Sequence, residues 1–270
     1  MKLGRISVTL LLFAFGALAQ TPEIVQNGVL NAASFDKSPG APVSPGSLVS
    51  IFGTNLAATQ ALNDTVPLST SLADNVSVTF NGITAGLDFV DKGQINAQVP
   101  WNVVADPTTN GTANVVVTRN GVASAPLAVN VAPVRPGIFS FPPGGGWAIA
   151  INNADGSLAA PVNAIPGINT HPVTTGDVLI IYATGLGAVD AAIANGADSS
   201  DKLRNTLAHP TVLVGGKVAA VFFSGLTPQF PGVNQINIQV PPGVPPADQV
   251  PIQIEVGDFT TPANTFISVH

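Results

Sequence analysis

The chain has 270 residues, of which 46% are hydrophobic and only 9% are charged, so it can form a packed core and is not a disordered polypeptide. Its 15 acidic residues outnumber the 9 basic ones, and this balance disfavours nucleic acid and anionic membrane surfaces as partners. Cysteine is absent, which excludes disulfides and a lipid-modified cysteine.

The first 19 residues have the pattern of a secretory signal peptide. Lys2 and Arg5 precede an apolar run from Ile6 to about Ala17, and small residues up to Ala19 fit an export cleavage site. The run is shorter than the roughly 20 residues of a membrane-spanning helix. We therefore predict cleavage after residue 19 and export to the periplasm, cell surface or exterior, without membrane insertion. Cleavage leaves 7 basic residues (9 less 2) against 15 acidic ones, a formal net charge of −8.

The rest of the chain carries strand signals almost throughout. Short runs rich in β-branched residues are bounded by Gly, Pro, Asn or Asp, and Asn-Gly pairs at Asn81 and Asn120 favour tight hairpins. Only residues 192–208 offer a plausible helical turn. The pattern predicts an all-β fold with strands at sandwich spacing.

Four segments recur in the same order in the two halves of the chain. The offsets drift from 130 to 141 residues, which indicates a duplicated domain with loop insertions rather than a solenoid, whose units have roughly 20 to 50 residues. The linker VAPVRPGIF, residues 131–139, would hold the halves semi-rigidly. We predict one β-sandwich at residues 20–136 and a second at 137–270. The paired segments are Pro45–Ala57 with Thr175–Ala188, Val78–Ala85 with Val212–Ala219, Gln94–Val103 with Gln235–Val244, and Val115–Pro126 with Ile252–Pro262.

These motifs together carry a resemblance to a known family. NAASF, PGSLVSIFGTNLA, NGITAGLDFVDKGQINAQVPW, GDVLIIYATGLGAV and VNQINIQVP resemble secreted proteins and C-terminal domains of Solibacter-type acidobacteria. Each half also resembles the immunoglobulin-like IPT or TIG domain, since Gly46–Leu56 is similar to that domain's opening strand; the second half has Ala183 and Gly185 where the first has Gly53 and Asn55. The resemblance implies tandem immunoglobulin-like sandwiches and no activity, cofactor or catalytic residue.

Residues suited to catalysis or metal binding are few. The histidines are His171, His209 and His270, and the sequence has neither a GxSxG elbow nor an HExxH motif. NNADGSL, residues 152–158, is better explained as an Asp-Gly turn than as a calcium loop. PPGGGW, residues 142–147, lacks the lysine and helix of a phosphate loop and is interpreted as a mobile interdomain loop. We predict a protein that is not an enzyme and holds neither a metal nor a cofactor.

The phrase QINAQVP, which returns as QINIQVP, is the main candidate binding feature. Side chains of a strand alternate between its faces, so the apolar residues would face the core and the amides the other side. Amides suit polysaccharide hydroxyls, but they also cap loops, and the strand contains no aromatic partner, which favours a structural role. Two tryptophans could stack on sugars or could close the domain cores. The candidate ligand-binding residues are Gln94, Asn96, Gln98, Trp101, Trp147, Gln235, Asn237 and Gln239.

Three functions fit this sequence. The first is an exported, non-catalytic binding, adhesion or spacer module that contacts polysaccharide or cell-surface proteins. The second is an accessory or degenerate component of a polysaccharide-degrading enzyme, for which paired carboxylates would be expected. The third is a self-assembling coat or matrix subunit, suggested by low charge and exposed strand edges.

Overall fold

The computed structural model describes residues 20–270, which form two tandem immunoglobulin-like β-sandwiches and, within that range, no α-helix. The all-β prediction is confirmed, while the predicted signal peptide lies outside the described residues. Two separate hydrophobic cores account for the two sandwiches, one built from residues between Ile24 and Val131 and the other from residues between Ile138 and Val269. The burial of each fully buried aliphatic side chain in these cores stabilises the folded state by roughly 1.5–3 kcal/mol.

The first sandwich contains ten strands in two sheets. One sheet has the order β1-β2-β7-β6-β3 and the other β10-β8-β4-β5, with β9 paired to β8. A single 3-10 turn, Ala73–Asn75, precedes β4. The strands are β1 (Glu23–Asn31), β2 (Leu48–Thr54), β3 (Ala61–Leu62), β4 (Ser77–Phe80), β5 (Ile83–Thr84), β6 (Gly86–Val90), β7 (Gln94–Gln98), β8 (Gly111–Arg119), β9 (Val122–Ala123) and β10 (Leu127–Val131).

The second sandwich contains thirteen strands that hydrogen bonds join into one continuous sheet. Its order is β12-β13-β23-β21-β18-β19-β20-β17-β14-β15-β16, with β11 on β17 and β22 on β21. The strands are β11 (Gly137–Ile138), β12 (Ser140–Phe141), β13 (Gly146–Ala148), β14 (Ala150–Asn152), β15 (Leu158–Ala159), β16 (Thr170–His171), β17 (Val178–Thr184), β18 (Thr211–Val214), β19 (Lys217–Leu226), β20 (Asn234–Gln239), β21 (Ala247–Val256), β22 (Phe259–Thr260) and β23 (Thr265–Val269).

The four repeated segments form equivalent strands with equivalent pairings. We call the strand formed by QINAQ in the first half and by QINIQ in the second the amide strand. In both halves it pairs with the strand of the first repeated segment: β7 pairs with β2, and β20 pairs with β17. Both Asn-Gly pairs, at Asn81 and Asn120, have positive φ at each residue, as a tight hairpin requires. The halves differ because the second fuses the counterparts of β5 and β6 into the single strand β19, which joins its two layers.

Residues 192–208, the only segment with a predicted helical turn, form an irregular loop that returns to the first sandwich. That prediction is wrong because Gly196 adopts a φ of +78°, which ends any helix, and the backbone around it bonds to residues of the first sandwich. The backbone amide of Leu68 donates to the Gly196 carbonyl at 2.8 Å. Asn195 Oδ1 accepts from the backbone amide of Trp101 at 2.8 Å.

Further contacts hold the two sandwiches at the linker. The Leu48 amide donates to Thr184 Oγ1 at 2.9 Å, and Asn31 Nδ2 donates to the Arg135 carbonyl at 2.9 Å. The Arg135 guanidinium pairs with Asp36 and lies 3.9 Å from the centre of the Phe259 ring. The linker residue Arg135 is therefore anchored to both sandwiches.

Candidate functional site

The repeated amide strands alternate as predicted. Ile95, Ala97, Ile236 and Ile238 are fully buried in the two cores. The amides lie on the opposite face of each sheet, and all of them except Gln98 retain solvent exposure. Each sandwich therefore has one outer sheet face that carries a row of amides, here called the amide face.

The two amide faces repeat the same hydrogen bonds. Gln94 Nε2 donates to Asn96 Oδ1 at 2.8 Å, and Gln235 Nε2 donates to Asn237 Oδ1 at the same distance. The third amide of each strand donates to the glycine that precedes the neighbouring strand, Gln98 to Gly46 and Gln239 to Gly176. The third amide thus ties the strand to its neighbour in both copies, and the amides other than Gln98 leave part of their hydrogen-bonding capacity free.

Gln98 makes a contact with the other sandwich that its counterpart, Gln239, does not make. It is 1% exposed, and its Oε1 accepts a 2.6 Å hydrogen bond from the backbone amide of Gly196 in the second sandwich. Both ends of its amide are therefore engaged, and it fixes the contact between the sandwiches. Gln239, by contrast, is exposed, and its side chain bonds only to Gly176 among the described residues.

Aromatic side chains flank the amides from neighbouring strands. Phe52 lies directly opposite Gln94 and Phe89 opposite Asn96. Tyr182 and Phe223 stand in the same places against Gln235 and Asn237, and residues directly opposite in antiparallel strands share a face. These aromatic residues lie outside the amide strand, so a reading of that strand alone does not predict them. An aromatic residue at the same position of the first repeated segment in both halves, Phe52 and Tyr182, could have indicated them.

A groove of about 270 Å³ opens on the first amide face. Its polar side is formed by Ser50, Asp88, Gln94 and Asn96, and Ser50 Oγ donates to Asn96 Oδ1 at 2.9 Å. Its apolar side includes Phe35 from the loop after β1, and Phe139 and Pro143 from the start of the second sandwich. This groove is therefore built from both halves of the chain.

A second groove, of about 490 Å³, opens on the second amide face. Gln235 and Asn237 line it together with Phe223, Lys202 and Leu203, whose side chain is 68% exposed. The irregular loop at residues 192–208 forms its wall. The second groove is thus more apolar than the first and contains no carboxylate from a strand.

Trp101 lies at the junction of the sandwiches rather than in either groove. Its ring covers Gly46 so closely that a Cβ there would lie 2.3 Å from ring atoms. Its Nε1 is buried and has no hydrogen-bond partner among residues 20–270. Together with Gln98, Trp101 belongs to the interface between the two halves.

Trp147 lies in β13, between Phe141 and Phe266 on the neighbouring strands, and packs on a small cluster with Leu158 and Ile165. It lines neither groove. The structure therefore brings together Gln94 with Asn96 and Gln235 with Asn237, and leaves Trp147 and Gln239 apart from these pairs.

The PPGGGW loop is fixed by hydrogen bonds. The Gly145 amide donates to Ser140 Oγ at 3.0 Å, and Asn264 Nδ2 donates to the Gly144 carbonyl at 2.9 Å. Gly144 also packs against Phe35, since a Cβ there would lie 3.1 Å from the Phe35 Cβ. The loop interpreted as mobile thus supports the apolar side of the first groove.

His171 and Asp155 form an ion pair that joins β16 to the turn before β15. The other imidazole nitrogen, Nδ1, bonds to the Pro172 carbonyl at 2.7 Å, and this bond together with Asp155 raises the pKa of His171. The Ser157 amide, His171 and the Ser157 hydroxyl lower the pKa of Asp155 to about 2. Ser157 Oγ donates to the carboxylate and not to the imidazole, an arrangement unlike that of a Ser-His-Asp site.

Within the part of the chain that the structure covers, no group of three or more His, Asp or Glu side chains is placed to hold a metal ion. Across residues 20–270, no helix has the length and apolar character needed to cross a membrane.

Comparison with protein families matches residues 36–131 to the IPT/TIG domain. An IPT/TIG domain is present in the first sandwich. The matched range contains the first amide strand and most of the first groove's polar side. No curated protein matches this chain.

Several solved structures are similar to the chain. The surface glycan-binding protein PbSGBP-B from Prevotella bryantii is 11% identical, with a TM-score of 0.28, over 90% of this chain and 41% of that one. The plexin A4 extracellular region is 10% identical, with a TM-score of 0.29, over 93% of this chain and 18% of that one. Domains 5-6 of the S-layer protein SbsC are 11% identical, with a TM-score of 0.26, over 85% and 92% of the two chains. This chain spans less than half of the first two proteins, and such TM-scores carry no information about what it binds.

Proposed function

We propose that this protein is an exported, non-catalytic module that binds polysaccharide, or glycan on cell-surface proteins, through the pairs Gln94–Asn96 and Gln235–Asn237 of its amide faces. The observation that carries the proposal is the pairing of amides with aromatics on both outer faces. Gln94 and Asn96 lie between Phe52 and Phe89, and the second sandwich repeats this arrangement. Amides both donate and accept hydrogen bonds, and aromatic rings offer an apolar surface, so the two together suit the polar edge and the C–H face of a sugar.

The contact between the sandwiches also favours binding to an extended polymer. Because Gln98 and the loop at residues 192–208 fix one sandwich on the other, two amide faces are presented on one support. Two sites held at a fixed separation bind a repeating polymer more tightly than either site alone, provided that the polymer can reach both.

The geometry at His171 disfavours a serine-type hydrolytic site at this residue. Both imidazole nitrogens are engaged, one by Asp155 and one by the Pro172 carbonyl, so the ring has no free nitrogen with which to accept a proton from a serine. Export rests on the pattern of residues 1–19, and we expect the secreted protein to begin at residue 20. N-terminal sequencing of the protein from the culture or periplasmic fraction checks this.

The test of binding is a pull-down of the purified protein on insoluble cellulose, xylan, chitin and intact cells. We expect at least one of these to retain the protein. A variant in which Gln94, Asn96, Gln235 and Asn237 are all replaced by Thr should lose retention, because Thr keeps the strand propensity while removing the amides.

The matched control is Gln239→Thr, which changes an amide of the same strand outside both grooves and should leave retention intact. Failure of the unmodified protein to bind any of these materials would leave only a spacer role. Full retention of the fourfold variant would show that binding uses another surface.

A further inference from the structure

The first groove contains a carboxylate without a partner. Asp88 occupies the β-bulge between Leu87 and Phe89, beside the amide strand. Among residues 20–270, no side chain or backbone amide donates a hydrogen bond to its carboxylate, and burial raises the pKa of Asp88. A half-buried carboxylate that lacks a donor is unfavourable for the fold, which points to a role outside folding.

The second sandwich shows that the bulge does not need an acid. There the bulge falls between Val221 and Phe223, and the residue in it is Phe222, which is 61% exposed. The same strand geometry therefore forms with an apolar residue in this place. The acid at position 88 is a specific property of the first groove.

The amides beside Asp88 have defined free atoms. Asn96 Oδ1 already accepts from Gln94 Nε2 and Ser50 Oγ, so Asn96 Nδ2 remains to donate and Gln94 Oε1 remains to accept. The groove thus presents acceptors, which include the carboxylate and Gln94 Oε1, beside the Asn96 Nδ2 donor. This set is complementary to adjacent hydroxyl groups, each of which can donate and accept.

The opposite side of the groove is aromatic, and one of its residues, Phe35, is held in a strained conformation. Phe35 has a φ of +48°, whereas every other non-glycine residue with positive φ in the described range is Asn or Asp. Positive φ is unfavourable for a bulky side chain, and such strain tends to occur at functional sites. Phe139 comes from the second sandwich, so the aromatic side depends on the junction.

We propose that the first groove is a binding subsite for a single neutral pyranose ring, in which Asp88 accepts hydrogen bonds from hydroxyl groups and Phe35 and Phe139 contact the C–H face. Its volume of about 270 Å³ lies just below the roughly 300–1,000 Å³ of sites for drug-sized ligands, which suits one sugar ring. This subsite rests on the proposed function and specifies which face binds and by which group.

The test is calorimetric titration of the full protein with cellohexaose, xylohexaose, laminarihexaose, chitin hexaose and the cationic chitosan hexaose. We expect at least one neutral oligosaccharide to bind. Asp88→Ala and Asp88→Asn should each weaken that binding by about tenfold or more, as expected when a hydrogen bond to a charged group is lost. Phe139→Leu should weaken it as well.

The charge-matched control is Asp258→Ala, which removes an exposed carboxylate in the β21–β22 turn and should leave binding unchanged.

Thermal unfolding distinguishes a role of Asp88 in binding from a role in stability. Because burial raises the pKa of Asp88, its contribution to stability falls as the pH rises through that pKa. Asp88→Asn should therefore raise the unfolding temperature at pH 7 while weakening binding.

Each outcome has a distinct meaning. Oligosaccharide binding that survives Asp88→Ala overturns this subsite and leaves the proposed function intact. Binding of chitosan hexaose alone overturns the neutral-sugar assignment and identifies the carboxylate as an ammonium site. Failure to bind any oligosaccharide here and any material in the pull-down overturns both proposals.

Discussion

Gln98 and Gln239 occupy the same position of two equivalent strands, yet they have different surroundings. Both donate to the glycine that precedes the neighbouring strand. Only Gln98 is buried, and only Gln98 accepts a hydrogen bond from the opposite sandwich, from the amide of Gly196. Identical residues in a duplicated sequence can thus serve one copy as a surface group and the other as an internal contact.

This difference predicts unequal costs for the same substitution. Gln98→Ala should lower the free energy of unfolding by about 1–3 kcal/mol, because it leaves the buried Gly196 amide and the Gly46 carbonyl without a partner. Gln239→Ala, at an exposed site, should change it by less than about 0.5 kcal/mol. Chemical denaturation of the two variants measures both values, and equal costs would show that the contact with Gly196 contributes nothing to stability.

Among the elements, the repeated segments were predictable and their contacts were not. Strand alternation and the Asn-Gly turns are local properties, so the sequence predicts the amide strand, its buried side and the hairpins correctly. The groove depends on residues far apart in the chain, such as Phe35, Asp88 and Phe139, and no local pattern relates them. The helical turn predicted at residues 192–208 was wrong for a similar reason, since that loop bonds to distant residues such as Leu68 and Gln98 of the first sandwich and Ser224 of the second.

The short strand β16 and the turn before β15 are linked by an ion pair, His171 with Asp155, that should respond to pH. The pKa of His171 is raised above its usual 6.5, so its stabilising contribution is complete below pH 6.5 and is lost as the pH rises through the folded value. The pKa of Asp155 is lowered from 3.8 to about 2, so its contribution is present above pH 3.8 and is lost as the pH falls toward 2.

The unfolding temperature should therefore contain a contribution from this pair that is largest between about pH 4 and 6.5. NMR titration of the His171 imidazole should give a pKa above 6.5, and Asp155→Asn should lower that pKa while leaving the Pro172 contact in place. A His171 that titrates at or below 6.5 in the unmodified protein would contradict the ion pair.

For the whole molecule, the contacts between the two sandwiches join the two predicted domains into a single structural unit. The sequence indicates a semi-rigid linker, and the contact also includes the loop around Asn195 and Gly196, which meets Leu68, Gln98 and Trp101. This loop lies in the segment across which the offset between the repeats grows from 130 to 134 residues. The first groove needs the same junction, because Phe139 and Pro143 complete it.

We therefore expect residues 20–270 to unfold in a single cooperative transition, with equal calorimetric and van't Hoff enthalpies.

Gly196→Ala should split or broaden that transition, since the added Cβ would lie 3.1 Å from Leu68 backbone atoms at the interface. Gly243→Ala is the matched control, because Gly243 has nearly the same φ, +77° against +78°, and nothing lies within 4 Å of its Cβ position. Both variants carry the same backbone strain of about 1–2 kcal/mol, so only the loss of the interface can distinguish them. Two separate transitions in the unmodified protein would show that the sandwiches are independent, and the composite groove would then lack the rigid support on which it depends.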